Sequence, residues 1–327
     1  MRAWQVHAHG EPAAVLKLDD VEPSNPPAGH VSIDVAAAGV NFADILLCRG
    51  TYQEKPPLPF ILGMEVAGTI RAVGLGVDAL RVGQRVMALP AKPSGAYAEI
   101  AIAPEAGCYL IPDSLHDAAA AAMLITYQTG WFGLRRRAAL QPGETLVVHA
   151  GASGVGSAAI QLGVAMGAYV IATAGGADKV AVCRDLGANV AIDYRDVDLV
   201  DALQSATDGR GADVIYDPVG GDVFDASRRC LAWEGRLVVV GFASGRIPEA
   251  PMNHALVKNY SLLGLYWGAY RQHNPSLVHE CHEELMAMAA DGRIAPLIMA
   301  ERPIEEVPAA LEMLADRGAY GKLVIRM

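Results

Sequence analysis

The sequence predicts an α/β protein that joins a doubly wound parallel sheet to a second, β-rich domain. Three observations carry this prediction. The 327 residues suit two domains. As far as about residue 112, short strand-like runs alternate with turns rich in glycine and proline. From Asp117 onward, helix patterns alternate with strand patterns, as a parallel sheet covered by helices requires.

The elements follow from the spacing of apolar residues. In the first part, residues 31–36, 65–73 and 97–102 have the length and the β-branched content of strands. In the second part an Ala-rich helix spans residues 117–134. The expected order after it is strand 146–148, helix 156–166, strand 169–173, helix 179–186, strand 189–192, strand 214–216, helix 224–231 and strand 237–240.

The pattern changes again after Leu263. An amphipathic helix is expected over residues 276–290 and a last strand over 323–326, which rejoins the first domain. We therefore predict a catalytic domain over residues 1–120, a dinucleotide-binding domain over 121–262, and a return to the catalytic domain over 263–327.

The segment from Leu146 to Ala168 has the pattern of a dinucleotide-binding turn. A buried strand leads into a loop of small residues and then into a helix, with Ser153 at the central glycine position of G-x-G-x-x-G. Main-chain N–H groups at such a helix start hold a pyrophosphate. An ordinary strand-to-helix turn is the alternative. The candidate contacts are Ser153, Gly154, Val155 and Gly156.

The next strand favours NADPH over NADH. It ends in Thr173-Ala174-Gly175-Gly176, without the carboxylate that holds a ribose 2′-hydroxyl in NAD sites. Lys179 and Tyr194, the latter followed by Arg195, are placed to bind a 2′-phosphate together with Gly175. The alternative for Lys179 is a solvated residue on a helix.

Composition excludes several classes of protein. The chain is 52% hydrophobic and 19% charged, which indicates a globular protein, and a net charge of −10 argues against nucleic-acid binding. No apolar run reaches the length of a membrane span or of a signal peptide, so we expect a cytoplasmic protein. Five cysteines without a C-x-x-C pair indicate reduced thiols.

Six segments, taken in order, carry a family resemblance. They are VNFADIL (residues 40–46), GMEVAGTIRAVG (63–74), VGQRV (82–86), GAYAE (95–99), QPGETLVVHAGASGVG (141–156) and GRLVVVGFASG (235–245). Together they closely resemble the quinone oxidoreductase branch of the medium-chain dehydrogenase/reductase superfamily, the relatives of zeta-crystallin. The resemblance implies a GroES-like catalytic domain built from both chain ends, a central Rossmann domain, and an NADPH site in the cleft between them.

The departures from this family pattern concern zinc. Alcohol dehydrogenases of the superfamily carry a cysteine where this chain has Asn41, and a G-H-E motif where it has Gly63-Met64-Glu65. Because a thioether does not replace imidazole as a zinc ligand, we expect no metal. A second metal candidate, His279-Glu280-Cys281-His282, lacks a third strong ligand and is interpreted as a solvated helix face.

Without zinc, the expected reaction is hydride transfer to a quinone or another conjugated carbonyl. Asn41, Tyr52 and Thr129 are the candidates to face the nicotinamide or the substrate carbonyl. The resemblance places Asn41 beside the nicotinamide, while Asp44 is expected to order that turn. A packed loop tyrosine is the alternative for Tyr52.

Further cofactor contacts are implied by the resemblance alone. Residues bordering the nicotinamide would be Gly241, Phe242, Ala243, Leu265 and Tyr266, with core packing as the alternative. Arg317 and Lys322 would contact cofactor phosphates or substrate, with surface charge as the alternative. The family pairs edge strands across a two-fold axis, and the apolar segment 260–266 favours a homodimer.

Three other functions stay open at this stage. One is reduction of the double bond of a 2-alkenal or an enoyl substrate. Another is a crystallin-like or redox-sensing protein that binds NADPH without turnover, suggested by the lack of a clear acid or base. The last is a zinc alcohol dehydrogenase, which would require stoichiometric zinc.

Overall fold

The computed structural model describes residues 1–327, which form two compact units. The first comprises Met1–Ile125 and Pro296–Met327, and the second comprises Thr126–Ala295. Each unit has its own apolar core. The chain forms two units because a single apolar core does not efficiently bury the apolar residues of a chain this long.

Sixteen strands are present. They are β1 (Arg2–Val6), β2 (Leu16–Asp20), β3 (His30–Gly39), β4 (Phe60–Ile61), β5 (Glu65–Val73), β6 (Arg85–Ala88), β7 (Ile100–Pro104), β8 (Cys108–Leu110), β9 (Thr145–Val148), β10 (Tyr169–Ala174), β11 (Val190–Asp193), β12 (Ala212–Asp217), β13 (Leu231–Val239), β14 (Ser261–Gly264), β15 (Ile298–Pro303) and β16 (Lys322–Arg326).

Eleven α-helices accompany them. They are α1 (Pro12–Val15), α2 (Phe42–Arg49), α3 (Asp117–Trp131), α4 (Gly154–Ala165), α5 (Ala177–Asp185), α6 (Leu199–Ala206), α7 (Gly221–Ser227), α8 (Met252–Lys258), α9 (Tyr270–His273), α10 (Pro275–Ala290) and α11 (Val307–Ala315). None of the helices combines the length and the apolar composition that a membrane crossing requires.

The first unit is built on strands from both ends of the chain. Its larger sheet has the order β15-β16-β3-β5-β6-β8, with β7 also paired to β3, and a smaller sheet has the order β2-β1-β4. The last strand pairs antiparallel with β3, Val324 opposite Gly39, so the predicted return of the chain to this sheet is confirmed. The first residues of β5 and β16 are thereby brought to the end of β3.

The second unit is a doubly wound parallel sheet of order β11-β10-β9-β12-β13-β14. Every neighbouring pair in it is parallel, which confirms the predicted fold class. The order reverses between β9 and β12, the position at which sheets of this kind bind ligands beyond the carboxyl ends of the strands.

Several elements of this unit differ from the sequence prediction, among them the helices α8 and α9, which were not predicted. The helix expected over 224–231 ends at Ser227, because Leu231 pairs with Ala212 and starts β13 instead. The helix α6 was not predicted. Asp198 caps it, since its carboxylate accepts hydrogen bonds from the main-chain N–H groups of Val200 and Asp201.

The second unit also extends past residue 262, to Ala295. The physical reason is the helix α10, whose buried side chains Val278, Cys281 and Leu285 pack inside the unit. Gln161 of α4 then binds the main chain of Ala295 through both atoms of its amide. Periodicity reveals such a helix but does not reveal which core covers its apolar face.

The solvated helix face expected at residues 279–282 is therefore only partly correct. His279 and Glu280 are exposed, but the Cys281 side chain is fully buried. Burial also lowers the pKa of His282 to about 4, so this imidazole is neutral at physiological pH.

Candidate functional site

The carboxyl edge of the parallel sheet collects most of the predicted cofactor residues. Each lies just beyond the end of a strand, and parallel strands end at one edge. Ser153, Gly154, Val155 and Gly156 follow β9, Gly175 and Lys179 follow β10, Tyr194 follows β11, Gly241, Phe242 and Ala243 follow β13, and Leu265 and Tyr266 follow β14.

The serine in the glycine-rich loop has a defined role. Ser153 is the N-cap of α4, and its Oγ accepts a hydrogen bond from the Gly156 main-chain N–H at 3.1 Å. A Cβ at Gly156 would lie 2.1 Å from the Ala150 carbonyl oxygen, so only glycine fits there. The main-chain N–H groups of Gly154 and Val155 lie in the first turn of the helix. N–H groups in a first turn have no acceptor within the helix, so these two fit a pyrophosphate.

A phenol and a guanidinium lie against the glycines that follow β10. A Cβ at Gly175 would stand 2.6 Å from Tyr194 Oη, and one at Gly176 would stand 1.8 Å from Arg195 Nη2. Gly176 also has a φ of +99°, which disfavours any side chain. Tyr194 and Arg195 thus form a polar surface beside bare backbone, a surface that fits a 2′-phosphate.

Asp193 organises this surface, and the sequence analysis did not identify it. One carboxylate oxygen accepts from the Gly176 N–H at 2.9 Å and the other from the Arg195 N–H at 3.1 Å. These main-chain hydrogen bonds hold the pKa of Asp193 below its usual range. The sequence feature that could have identified Asp193 is its position at the end of a strand, directly before Tyr194 and Arg195.

The remaining residues of this edge are placed as follows. Phe242 and Tyr266 are 36% and 42% exposed, so neither is core, contrary to the alternative of simple core packing for these two. A Cβ at Gly220 would stand 2.9 Å from the Phe242 ring. Lys179 is the third residue of α5. All three side chains lie at the carboxyl edge of the parallel sheet.

A buried histidine links the start of the glycine-rich loop after β9 to the strand β10. His149, which follows β9, lies 2.8 Å from both Thr173 Oγ1 and Ser227 Oγ. Ser227 donates its own proton to the Val223 carbonyl, so its oxygen accepts from His149 Nε2. Burial lowers the His149 pKa, consistent with a neutral ring that accepts at Nδ1.

In the first unit, the turn after β3 carries the predicted Asn41. Its main-chain N–H donates to Asp44 Oδ2 at 2.9 Å, and the Tyr97 hydroxyl donates to the same oxygen at 2.7 Å. The expectation that Asp44 orders this turn is confirmed. Burial raises the pKa of Asp44 to about 6, because the hydrogen bonds only partly offset its lost hydration.

The structure corrects the expectation for Lys322. This residue is 4% exposed, so it is not a surface charge. Its ammonium donates to Val40 O at 2.8 Å, to Asn41 Oδ1 at 2.7 Å and to Glu65 Oε1 at 2.8 Å. Because an ammonium has three protons, none is left for a cofactor phosphate. Lys322 is a buried partner of Asn41 and Glu65.

Glu65 is a second residue that the sequence analysis left without a role. It is fully buried, and its Oε2 accepts from the Ile125 main-chain N–H at 2.9 Å. Beside it, Met64 packs against the apolar core. The available signal was a glutamate that begins the predicted strand 65–73, directly after Met64.

The last three predicted residues lie in different parts of the chain. Tyr52 is half-buried in the loop after α2 and packs against the core of the first unit. Thr129 lies in α3 and is 9% exposed. Arg317 follows α11 with a φ of +56°.

Another lysine, Lys92, lies near Asp44. Lys92 donates from Nζ to the Ile61 carbonyl at 2.8 Å, and its ammonium stands 5.1 Å from the centre of the Phe60 ring. Burial lowers the pKa of Lys92 to about 8.

No group of three or more His, Cys, Asp or Glu side chains is arranged to hold a metal ion.

Comparisons with known proteins agree on one family. Residues 27–113 match the alcohol dehydrogenase GroES-like domain, and residues 154–288 match the zinc-binding dehydrogenase domain. The chain is 40% identical over 326 residues to a quinone oxidoreductase-like protein 2 homolog of Nematostella vectensis, covering 99% of this chain and 88% of that protein.

Solved structures match over the full length. Escherichia coli quinone oxidoreductase complexed with NADPH is 30% identical, with a TM-score of 0.92 and complete coverage of both chains. A mycobacterial protein, also complexed with NADPH, is 31% identical with the same TM-score and coverage. The CurK enoyl reductase is 27% identical, with a TM-score of 0.87 over 100% of this chain and 99% of that one.

The buried carboxyl group of Asp44 gives a prediction about stability and pH. Its pKa is raised from 3.8 to about 6, so its ionisation opposes folding above about pH 6, and this penalty fades as the pH falls toward 3.8. We expect Asp44→Asn to raise the free energy of unfolding at pH 7.5 by on the order of 1–3 kcal/mol. Urea unfolding between pH 4.5 and 7.5 measures it.

The gain should shrink toward pH 4.5, where Asp44 is already neutral in the folded protein. Asp34→Asn is the matched control, because Asp34 is exposed and pairs only with Arg71 across the sheet. A lower stability of Asp44→Asn at pH 7.5 would contradict the assigned electrostatics.

Proposed function

The chain belongs to the quinone oxidoreductase branch of the medium-chain dehydrogenase/reductase superfamily, and from this premise we propose that it reduces a quinone or another conjugated carbonyl with NADPH, without zinc. The observation that carries the proposal is the contact between the Lys322 ammonium and Asn41 Oδ1 at 2.7 Å. The Lys322 ammonium already binds Asn41 Oδ1 and Glu65 Oε1, so these oxygens are not free to ligate a divalent cation, and the neighbouring Met64 offers only a soft, neutral thioether. The reaction therefore relies on the cofactor and on hydrogen-bond donors.

NADPH is the cofactor. Gly154 and Val155 would hold its pyrophosphate through their main-chain N–H groups, with Ser153 and Gly156 forming the turn. Tyr194 and Arg195, beside Gly175 and with Lys179, would bind the 2′-phosphate. Arg317 is a further candidate for a phosphate or a substrate contact.

For this reaction the protein needs to position the cofactor and the substrate and to stabilise the charge that develops on the substrate oxygen. When bound, NADPH supplies a hydride to an electron-poor carbon, and the electron pair released moves onto the conjugated oxygen. Hydroxyl donors at Tyr52 and Thr129 would stabilise that developing charge. Gly241, Phe242, Ala243, Leu265 and Tyr266 would form an apolar wall that keeps water from the hydride.

Reduction of a carbon–carbon double bond is the second candidate function. A conjugated enal or enoyl substrate accepts hydride at its β-carbon and needs the same donors at its oxygen. The likeness to the CurK enoyl reductase favours this alternative. Binding of NADPH without turnover is a third possibility, which the assay below distinguishes.

A homodimer is part of the proposal. The edge strand β14 has no neighbour on its outer side, and nearby side chains of α8 and the preceding loop are strongly exposed: Ile247 71%, Met252 68%, Leu256 77% and Val257 73%. A two-fold pairing of two such edges would cover this apolar surface.

The proposed location is the cytoplasm, in keeping with five free, buried cysteines.

The proposed reaction predicts NADPH oxidation with a simple quinone in the absence of added metal. Protein treated with EDTA should consume NADPH, followed at 340 nm, when 1,4-benzoquinone is supplied, and metal analysis should give much less than one zinc per chain. A 2-alkenal assayed in parallel separates the two candidate substrate classes. Loss of turnover on EDTA treatment would contradict metal independence, and binding without oxidation would select the non-catalytic alternative.

The 2′-phosphate surface predicts a cofactor preference that depends on Arg195. We expect kcat/KM to be at least about tenfold higher for NADPH than for NADH, and Arg195→Gln to remove most of that ratio by lowering only the NADPH value. Arg71→Gln, an exposed arginine of the first unit, is the control. A wild-type preference for NADH would refute the assignment of Lys179, Tyr194 and Arg195.

The exposed apolar surface predicts the oligomeric state. Light scattering should give twice the chain mass of 34.4 kDa. The double variant Leu256→Glu/Val257→Glu should be monomeric, because two buried carboxylates on each subunit would oppose the contact. Leu75→Glu, which changes an 86% exposed leucine of the first unit, should remain dimeric. A monomeric wild type would remove the dimer from the proposal.

A further inference from the structure

A chain of three hydrogen bonds joins β10, the residue after β9 and the helix α7. Thr173, His149 and Ser227 are 2%, 0% and 0% exposed. Thr173 Oγ1 and Ser227 Oγ each lie 2.8 Å from a ring nitrogen of His149, and Ser227 donates its own proton to the Val223 carbonyl. Because a neutral imidazole has one N–H, the proton lies on Nε2, and Nδ1 accepts from the Thr173 hydroxyl.

Thr173 is bonded to the glycine-rich loop through two different groups. Sheet pairing between β9 and β10 ends with Val148 opposite Ala172. Beyond that pair, the Gly151 main-chain N–H donates to the Thr173 carbonyl at 2.9 Å, and the Thr173 hydroxyl donates to His149. Both the main chain and the side chain of Thr173 are therefore fixed to the loop.

On its other side, β10 carries this constraint to β11. Ala174, which follows Thr173, is in register with Asp193. The Asp193 carboxylate accepts from the main-chain N–H groups of Gly176 and Arg195. Through Thr173, the imidazole thus connects the glycine-rich loop to the polar surface beside Gly176.

The glycine-rich loop contains a residue that needs such an anchor. Ala150, directly after His149, has a φ of +48°, a conformation that is unfavourable for alanine unless its neighbours hold it. Its carbonyl accepts from the Ser153 N–H at 2.8 Å and lies so close to Gly156 that no Cβ fits there. The conformation of Ala150 therefore determines where the first turn of α4 lies, and the imidazole anchors the residue before it.

We infer that His149 is a positioning residue, which sets the separation between the start of α4 and the surface formed by Tyr194 and Arg195. The inference rests on the proposed function, in which the pyrophosphate binds at the first place and the 2′-phosphate at the second. In NADPH both groups are attached to one ribose, at its 5′ and 2′ positions, so the sugar fixes their separation. Such a ligand gains affinity from its second phosphate only when the two places are correctly spaced.

Fragments of the cofactor test this spacing without turnover. Adenosine 2′,5′-bisphosphate carries both phosphates, whereas adenosine 2′-monophosphate and adenosine 5′-monophosphate carry one each. Their affinities are measured by isothermal titration calorimetry. We expect the wild type to bind the bisphosphate at least about tenfold more tightly than either monophosphate.

Loss of the bond between His149 and Thr173 should affect the bisphosphate selectively. His149→Phe keeps an aromatic ring but offers no acceptor, and Thr173→Val removes the donor with little change in shape. Both should weaken bisphosphate binding about fivefold or more and leave each monophosphate within about twofold of the wild type. His149→Asn retains an amide oxygen that can accept from Thr173, so it should restore most of the bisphosphate affinity.

Thr145→Val is the matched control. Thr145 begins β9, at the end of the strand away from the loop, and it is 8% exposed, with its Oγ1 accepting from Arg210 at 2.9 Å. The same substitution at this position should lower the melting temperature but keep the wild-type ratio of affinities. Circular dichroism establishes that each variant is folded at the temperature of the titrations.

KM values provide a second readout. NADH has no 2′-phosphate and gains nothing from the spacing, so His149→Phe should raise the KM for NADPH about fivefold and the KM for NADH less than about twofold. Folded His149→Phe and Thr173→Val proteins that bind the bisphosphate as tightly as the wild type overturn the inference. So does an equal weakening of all three fragments, and so does a wild type without preference for the bisphosphate.

Failure of this inference and failure of the proposed function have different signatures. If the variants lose affinity selectively for the bisphosphate but the wild type reduces neither quinones nor alkenals, the proposed function fails and the positioning role stands. If the wild type reduces quinones with NADPH and His149→Phe keeps the wild-type affinities, the function stands and the positioning role fails.

Discussion

The first unit depends on the burial of one carboxylate and one ammonium against each other. Glu65 and Lys322 are almost completely removed from solvent, and their contact is 2.8 Å. Desolvation of two charges is costly unless both are fully hydrogen-bonded, and here the Val40 carbonyl, the Asn41 amide and the Ile125 N–H complete their bonding. Since these groups come from β5, β16, the end of β3 and α3, satisfying the pair requires the segments to meet in one register.

The second unit depends on a different constraint, because an anion must be able to approach its main-chain N–H groups. Parallel strands deliver every loop to the same edge, and residues without side chains leave the backbone accessible there. Polar side chains then hold the loops in place. His149 joins Thr173 to Ser227, and Asp193 bonds Gly176 to Arg195, so hydrogen bonds link the loops that follow β9, β10 and β11 to their surroundings.

The sequence predicted what depends on local pattern. The strand β5 and the glycine-rich turn between β9 and α4 follow from periodicity and from small residues at fixed spacing, although α4 begins at Gly154, two residues before its predicted start. The fold class follows from the order of elements. It did not predict the role of Lys322, because Glu65 is 257 residues away and no local signal distinguishes a buried lysine from an exposed one. Asp193 and His149 were missed for a similar reason: Gly176, Thr173 and Ser227, which they contact, are distant in the sequence. The extent of the second unit to Ala295 likewise depends on where α10 packs.

The path of the chain through the two units has a consequence for biosynthesis. The second unit is one continuous stretch, so all of it has been synthesised before the strand β16. The sheet of the first unit, in contrast, keeps an open edge on β3 until that last strand emerges. Because the first unit needs Pro296–Met327 as well as Met1–Ile125, its larger sheet can be completed only after the whole second unit has been synthesised.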